Sequence, residues 1–292
     1  MNDEVIKITW KYRLEYAGFL IAAALFSTLP IEWGSALSGF IWRTIAPRTH
    51  RHLRARANIA RAYPEMDPAA REKILLESWD NLGRTFAESF QFRKLVLSDR
   101  VTVAQPGILT QIQQLQSGAV FCLAHMANWE ITASVLLRVN VEAAGIYQAI
   151  HNPLVDAYVL KQRSILYRGG LWSKEDNSVR KMMRYARKGG TACIMTDLPV
   201  FSGIEINFFG TPAPTSPFPA MMALQMNLPL FVVAIRRDKG VRFTVHAEAI
   251  EAVRSDDREA DIKAMTQAIH NRFEAYIRDN PGQWMWGQRR WG

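Results

Sequence analysis

Cysteine is scarce: Cys122 and Cys193 are the only two in 292 residues. Each falls in an apolar run of strand length, so nothing suggests a disulfide framework or a zinc site, and a reducing compartment is the default. Glycine-rich phosphate loops are missing too. Neither G-x-G-x-x-G nor G-x-x-x-x-G-K-[ST] occurs, which counts against nucleotide use. The chain has no internal repeat, low-complexity tract or long linker, so one catalytic domain is the economical organisation. Acidic residues are the scarcer charge, 27 against 36 Lys and Arg, which leaves a net charge of +9. That surplus favours an anionic partner: nucleic acid, acidic lipid, a phosphorylated glycolipid or an acidic carrier protein. Hydrophobic residues at 49% exclude a disordered chain and suit a globular or membrane-attached one.

Long hydrophobic runs are also lacking. The uncharged stretch from Ala17 to Leu29 is shorter than the roughly 18 residues that mark a confident transmembrane span. Pro30–Ile31–Glu32–Trp33 follows, then a second apolar stretch to Trp42. Three readings stay open. A cleaved signal peptide fits the basic start and apolar core, but no small-x-small cleavage site follows. A buried core helix is the second. The third, carried forward here, is a membrane anchor over residues 1–45, spanning or lying in the interface, with Trp10, Trp33 and Trp42 as interfacial residues and residues 46–292 as the catalytic domain. Behind it Arg43, Arg48, Arg51, Arg54, Arg56 and Arg61 form a basic run. Positive-inside logic keeps that side cytoplasmic if residues 16–31 span. Arg51, Arg54 and Arg56 are then candidates for gripping lipid or glycolipid phosphates, and a solvated amphipathic helix accounts for the run equally well.

The stretch Val120 to Glu130 carries the chemistry. An apolar run, Ala119 to Ala124, delivers His125 at its end. Asn128 then offers a helix cap, and Trp129, Ile131, Val135 and Leu136 continue as an apolar-rich helix. Glu130 falls in the first turn, where the fold of the chain brings it back toward His125. A carboxylate beside an imidazole raises its basicity and fixes its tautomer, as a general base for a hydroxyl requires. Cys122, three residues before His125 on a strand, points to the opposite face and is not expected to be a nucleophile. A metal site at His125 and Glu130 lacks further ligands at suitable positions.

Elsewhere strands and helices alternate. Asp67–Pro68 starts a helix whose apolar positions Ile74, Leu75, Trp79, Leu82, Phe86 and Phe90 recur at helical spacing. Val101 to Pro106 and Ala143 to Ile150 read as strands, and Asn152–Pro153 opens a helix reaching Gly169–Gly170. Thr191 to Thr196 is a buried strand ending at Asp197, and Ile204 to Phe209, Pro229 to Arg236 and Val241 to Glu248 are further strands. Asp256 to Arg278 is a long helix. Such alternation argues for an α/β layer fold, in which ligand-handling groups sit at strand carboxyl ends, as Asp197 does.

His125-x4-Glu130, closing on Asn128–Trp129–Glu130, resembles the signature of the late (secondary) acyltransferases of lipid A biosynthesis, within the lysophospholipid acyltransferase group. Arg56–Ala57–Asn58, Tyr63–Pro64–Glu65, Phe208–Phe209–Gly210 and the ending Pro281-x-Gln283–Trp284-x-Trp286 resemble further elements of that family. The chain departs from it at Leu198, where Gln follows the Asp, and at Gln288, where His precedes the Arg pair. The resemblance implies an α/β fold with a mixed, largely parallel sheet flanked by helices, glycerolipid-acyltransferase-like, with an N-terminal membrane-anchoring helix. It implies an O-acyltransferase on the cytoplasmic face of the bacterial inner membrane, moving a fatty acyl chain from acyl carrier protein to a hydroxyl of a lipid A precursor. His125 is then the general base, Glu130 its orienting partner, and Asn128, Arg163 and Asp197 substrate contacts. Backbone amides of the following helix, aided by Arg163, are expected to meet the oxyanion. No metal or bound cofactor is implied. Expected partners are acyl carrier protein, a phosphorylated glycolipid and a membrane, not nucleic acid. Two alternatives remain: another glycolipid acceptor, such as a mannosylated phosphatidylinositol, or an acyl-CoA donor; and an inactive acyltransferase-like fold serving as a basic peripheral membrane or nucleic-acid-binding protein.

Overall fold

The computed structural model describes residues 8–115, 117–252 and 254–291. Its strands are β1 (Val101–Val103), β2 (Val120–Leu123), β3 (Ala143–Tyr147), β4 (Gly170–Ser173), β5 (Thr191–Met195), β6 (Ile204–Phe208), β7 (Thr211–Thr215), β8 (Leu230–Lys239) and β9 (Arg242–Ile250). Seven of them form one sheet in the order β1-β9-β8-β2-β5-β3-β4, and β6 and β7 pair as a separate hairpin. The five strands from β8 to β4 run parallel. β9 lies antiparallel to β8 and carries β1 parallel to itself. The expected mixed, largely parallel sheet flanked by helices is therefore present.

β2 is buried along its whole length because it is central and covered on both sides, which explains its continuous apolar run. Its side chains alternate between two cores, as a period of two requires. Val120 and Cys122 join one core with Ile194, Val232 and Phe273. Phe121 and Leu123 join the other with Val135, Phe231 and Ile235.

The helices are α1 (Trp10–Thr28), α2 (Ile31–Ile45), α3 (His50–Ala62), α4 (Pro68–Ser89), α5 (Phe92–Val96), α6 (Pro106–Gln113), α7 (Ser134–Arg138), α8 (Pro153–Arg163), α9 (Ser178–Arg187), α10 (Phe218–Met226) and α11 (Arg258–Asp279). Asp67 caps α4 through the Ala69 and Ala70 amides, with Pro68 at its first position, as its sequence predicts. α2 crosses α4 where both are narrow. A Cβ on Gly83 would meet the Ser38 carbonyl oxygen at 2.5 Å, and the Ser38 hydroxyl donates to the Gly83 carbonyl at 2.7 Å.

The N-terminal helices correct one expectation. No helix of the described residues is long and apolar enough to cross a membrane, so a spanning anchor over residues 16–31 finds no support. The helix stops at Thr28, and Leu29–Pro30 turns the chain into α2. Phe19 and Phe26 pack against Phe90 and Phe86 of the α4 end, and Phe19 against Tyr158 of α8. Trp42 also turns inward against Phe86. The opposite faces stay uncovered: Trp10 is 79% exposed and Ile21 71% on α1, and Trp33 is 71% and Phe40 57% on α2.

Candidate active site

The register of β2 on β5 pairs Leu123 with Met195. Two residues further on, at the carboxyl ends of both strands, stand His125 and Asp197. The His125 ring Nδ1 lies 2.7 Å from Asp197 Oδ1. The other carboxylate oxygen accepts from the His125 backbone amide and from the Trp284 indole Nε1, each at 2.8 Å. Asp197 is wholly buried. Burial pushes its pKa up, but the His125 ring and the Trp284 donor outweigh it and hold the carboxyl below its ordinary range. An ionised carboxylate only accepts, so Nδ1 of His125 must be its donor. The lone pair is thereby left on Nε2, the tautomer a general base needs.

The carboxylate on His125 Nδ1 is thus Asp197, not Glu130. Glu130 goes instead to Arg163, whose Nε and Nη2 donate to its two oxygens at 2.7 and 2.6 Å. The Trp129 indole adds a third bond at 3.1 Å. Burial works against the Arg163 charge, and the Glu130 carboxylate more than offsets it, raising the guanidinium pKa. The reason for the different pairing is local. Residues 129–131 form a single 3-10 turn and α7 begins only at Ser134, so no regular helix carries Glu130 back to His125. Asn128 does not cap that turn with its side chain. It is buried, and its amide nitrogen donates to Glu88 at 2.8 Å.

A pocket of about 210 Å³ opens beside this pair, walled by Phe19, Trp42, Leu82, Phe86 and Tyr158, with Trp129, Glu130 and Arg163 at its polar edge. Trp129 joins pocket and base, since its ring lies 5.4 Å from that of His125, centroid to centroid. Arg51, Arg54 and Arg56 are not among the residues that line it. They ride on α3, where Arg56 meets Glu72 at 2.9 Å and Arg51 and Arg54 have no ion pair among the described residues. Cys122 is fully buried, and burial pushes its thiol well up, away from thiolate character.

Trp284, Glu88 and Arg237 escaped the sequence reading as site residues. The two tryptophans of the C-terminal motif are both buried, so they pack in the core and not at a membrane interface. Gln283 ties the same motif to β8, accepting from the Arg237 amide at 2.7 Å and donating to its carbonyl at 2.9 Å. A polar row on α4, Asn81–Thr85–Glu88, was the available signal, because this spacing puts all three on one side of a helix.

Comparison with known proteins gives the family. The family model for bacterial lipid A biosynthesis acyltransferases matches residues 7–292. The chain is also similar to the phosphatidylinositol mannoside acyltransferase of Mycobacterium tuberculosis (strain ATCC 25618 / H37Rv), 26% identical over 251 residues that cover 81% of this chain and 76% of the relative. A phosphatidylinositol mannoside acyltransferase of Mycolicibacterium smegmatis is 24% identical over 248 residues, covering 81% and 78%. With the match running over almost its whole length, the chain belongs to the bacterial lipid A biosynthesis acyltransferase family.

Proposed function

We propose that this acyltransferase moves a fatty acyl chain from a thioester to a hydroxyl of a phosphorylated glycolipid, with acyl carrier protein as donor and a lipid A precursor as acceptor. The observation that carries the reading is the His125–Asp197 pair, whose imidazole lies 5.4 Å from the ring of Trp129, a residue of the apolar pocket's lining. Nε2 of His125 takes the acceptor's hydroxyl proton as the oxygen attacks the thioester carbonyl. The tetrahedral intermediate expels the thiolate, and the imidazolium returns the proton to that sulfur. Ester and free thiol are the products. Asp197 stabilises the imidazolium between these steps. Arg163, held in place by Glu130, offers a fixed positive charge for the oxyanion, together with the amides of the turn after His125. The pocket takes the acyl chain. The reaction needs no metal or bound cofactor, because the thioester is already activated.

The net charge of +9 suits both an acidic carrier and an acceptor phosphate, with Arg51, Arg54 and Arg56 as the phosphate-facing group. The uncovered faces of α1 and α2 suit a membrane surface, entered in the plane of the interface and not across it. On this reading the enzyme works at the cytoplasmic face of the inner membrane. A second acceptor, a mannosylated phosphatidylinositol, is favoured by the similarity to phosphatidylinositol mannoside acyltransferases. Mass spectrometry of each acceptor incubated with purified protein and defined acyl carriers tests both. Gain of one acyl mass on the lipid A precursor supports the first reading, and gain only on the mannoside supports the second. A folded protein that acylates neither, with carrier-bound or CoA-bound donors, overturns the proposal.

A further inference from the structure

Between His125 and the Glu130–Arg163 pair the chain passes through Ala127, which is buried and holds φ at +44°. An L residue with a Cβ rarely adopts that conformation, and it costs free energy to keep. The surrounding residues hold it there. Asn81 Nδ2 and Thr85 Oγ1 donate to the Ala127 carbonyl at 3.0 and 2.9 Å, while the Ala127 amide donates to the Gln283 carbonyl at 2.8 Å. The side chain of the next residue, Asn128, is held by Glu88 alone, because its Oδ1 is buried without a partner among the described residues. Glu88 is itself wholly buried. It receives Ser35 Oγ at 2.7 Å and two Arg237 nitrogens at 2.5 and 3.1 Å, and Arg237 Nε also donates to Asn81 Oδ1 at 3.0 Å.

Burying an ion pair gains little stability over apolar packing, and the orphaned Asn128 oxygen is a further cost. Neither the pair nor the strained turn is explained by stability. We infer that Asn81, Thr85 and Glu88 of α4, with Arg237 behind them, are positioning residues that force the Ala127–Asn128 turn into its strained form and so set the spacing between His125 and the Glu130–Arg163 pair. Asn81, Glu88 and Arg237 stand outside the lining of the acyl pocket and act through the turn, whereas Thr85 acts on the turn through its hydroxyl and also forms part of the pocket wall. The inference rests on the acyltransferase reading for its kinetic consequence, and its structural consequence stands apart from that reading.

The test uses the full-length protein with Glu88→Gln, Thr85→Val and Thr85→Ser. Turnover at saturating substrates, KM for donor and acceptor, the melting temperature and amide hydrogen exchange over residues 125–130 are compared with wild type. A misplaced catalytic group costs about 10²-fold in rate, so folded Glu88→Gln is expected to lose turnover on that scale with both KM values nearly unchanged. Thr85→Val, which keeps the volume and loses the hydroxyl, is expected to lose less, and Thr85→Ser to stay close to wild type. Exchange over the turn rises in Glu88→Gln and Thr85→Val. Wild-type turnover in both variants, or a lower melting temperature with turnover intact, overturns the inference. Should Glu88→Gln fail to fold, Asn81→Ala, which removes another donor to the Ala127 carbonyl from outside the acyl pocket, takes its place and is expected to lose turnover with exchange over residues 125–130 raised; wild-type turnover there overturns the inference. Should wild type transfer no acyl group, the acyltransferase reading fails, and unchanged exchange over 125–130 still rejects this one.

Discussion

At the carboxyl ends of β2 and β5 the charges are met from within the chain: Asp197 by His125 and Trp284, Glu130 by Arg163, Glu88 by Arg237. Across the N-terminal layer the reverse holds, and Trp10, Leu14, Ile21, Trp33 and Phe40 stand largely in the open. Large apolar faces left uncovered on a folded chain mark an interaction surface. The charged wall is complete by itself and the helix layer is not. Preorganised charge belongs where bonds change, and uncovered apolar area where a partner outside the fold covers it; on the proposed function that partner is a lipid surface.

The contrast breaks most sharply at Asp197. Asp197→Asn keeps the shape but presents an amide donor or a weaker acceptor to Nδ1, so the imidazole loses the tautomer that leaves Nε2 free. In a hydrolase triad the same change costs about 10⁴-fold, and a loss of that order in single-turnover acyl transfer is expected here. His125→Ala removes the base itself, for which losses of about 10²–10⁴-fold are typical. If Asp197→Asn turns over within tenfold of wild type, the carboxylate does not set the tautomer.

Glu130 and Arg163 sharpen the comparison from the other side of the pocket. Their bidentate geometry makes Arg163→Lys a severe change, since an ammonium cannot match both oxygens. Loss of one oxyanion donor costs about 10²–10³-fold. Arg163→Lys and Glu130→Gln are each expected to fall in that range in maximal rate, measured at saturating donor and acceptor. Turnover within tenfold of wild type in both variants would take the pair away from the oxyanion.

How much of this was legible in the chain depends on range. The apolar run before His125, the Asp67–Pro68 start of α4 and the Thr191–Thr196 strand are local signals, and each became the element expected. Two strands were missed. Gly170–Ser173 follows a pair of glycines and is short, and Thr211–Thr215 contains two prolines, which a single edge of a hairpin tolerates. The pairing within the site failed to read for a different reason. His125 and Asp197 are separated by 72 residues and Trp284 lies 87 beyond Asp197. Only the parallel register of β2 and β5 brings the first two together, and the C-terminal strap adds the third. Glu130, five residues from His125, looked like the partner because sequence shows proximity along the chain and not in space.

The uncovered layer can be tested without touching the chemistry. Trp33→Ser with Phe40→Ser removes two exposed side chains from one face of α2. Burying a large apolar side chain contributes about 1.5–3 kcal/mol. Losing both from a membrane contact therefore costs about 3 kcal/mol, or on the order of 10²-fold in vesicle partitioning. Flotation with anionic vesicles measures it, and turnover on detergent-dispersed substrate is expected to hold. Equal flotation of variant and wild type would mean that this face meets something other than lipid.

The smallest effect concerns the wall behind Asp197. His270 is buried on α11 with Nδ1 2.9 Å from the Thr266 carbonyl and Nε2 3.1 Å from that of Thr196, the residue before Asp197. Those carbonyls favour a charged ring, as does the Asp197 carboxylate. Burial, helped by the Arg290 charge, outweighs them and lowers the His270 pKa from 6.5 to about 4. The folded state therefore holds the ring neutral while the unfolded chain protonates near pH 6.5. Its contribution to stability is fully present above that pH, is lost as pH falls from 6.5 toward 4, and changes little below. The linkage amounts to about 2 kcal/mol between pH 7 and pH 5. Urea unfolding of wild type and His270→Gln at both pH values isolates it, because glutamine cannot titrate. The variant is expected to be less stable at pH 7, having lost a fitted ring, yet to lose about 2 kcal/mol less than wild type on acidification. An equal loss in both proteins would place the acid sensitivity elsewhere in the wall.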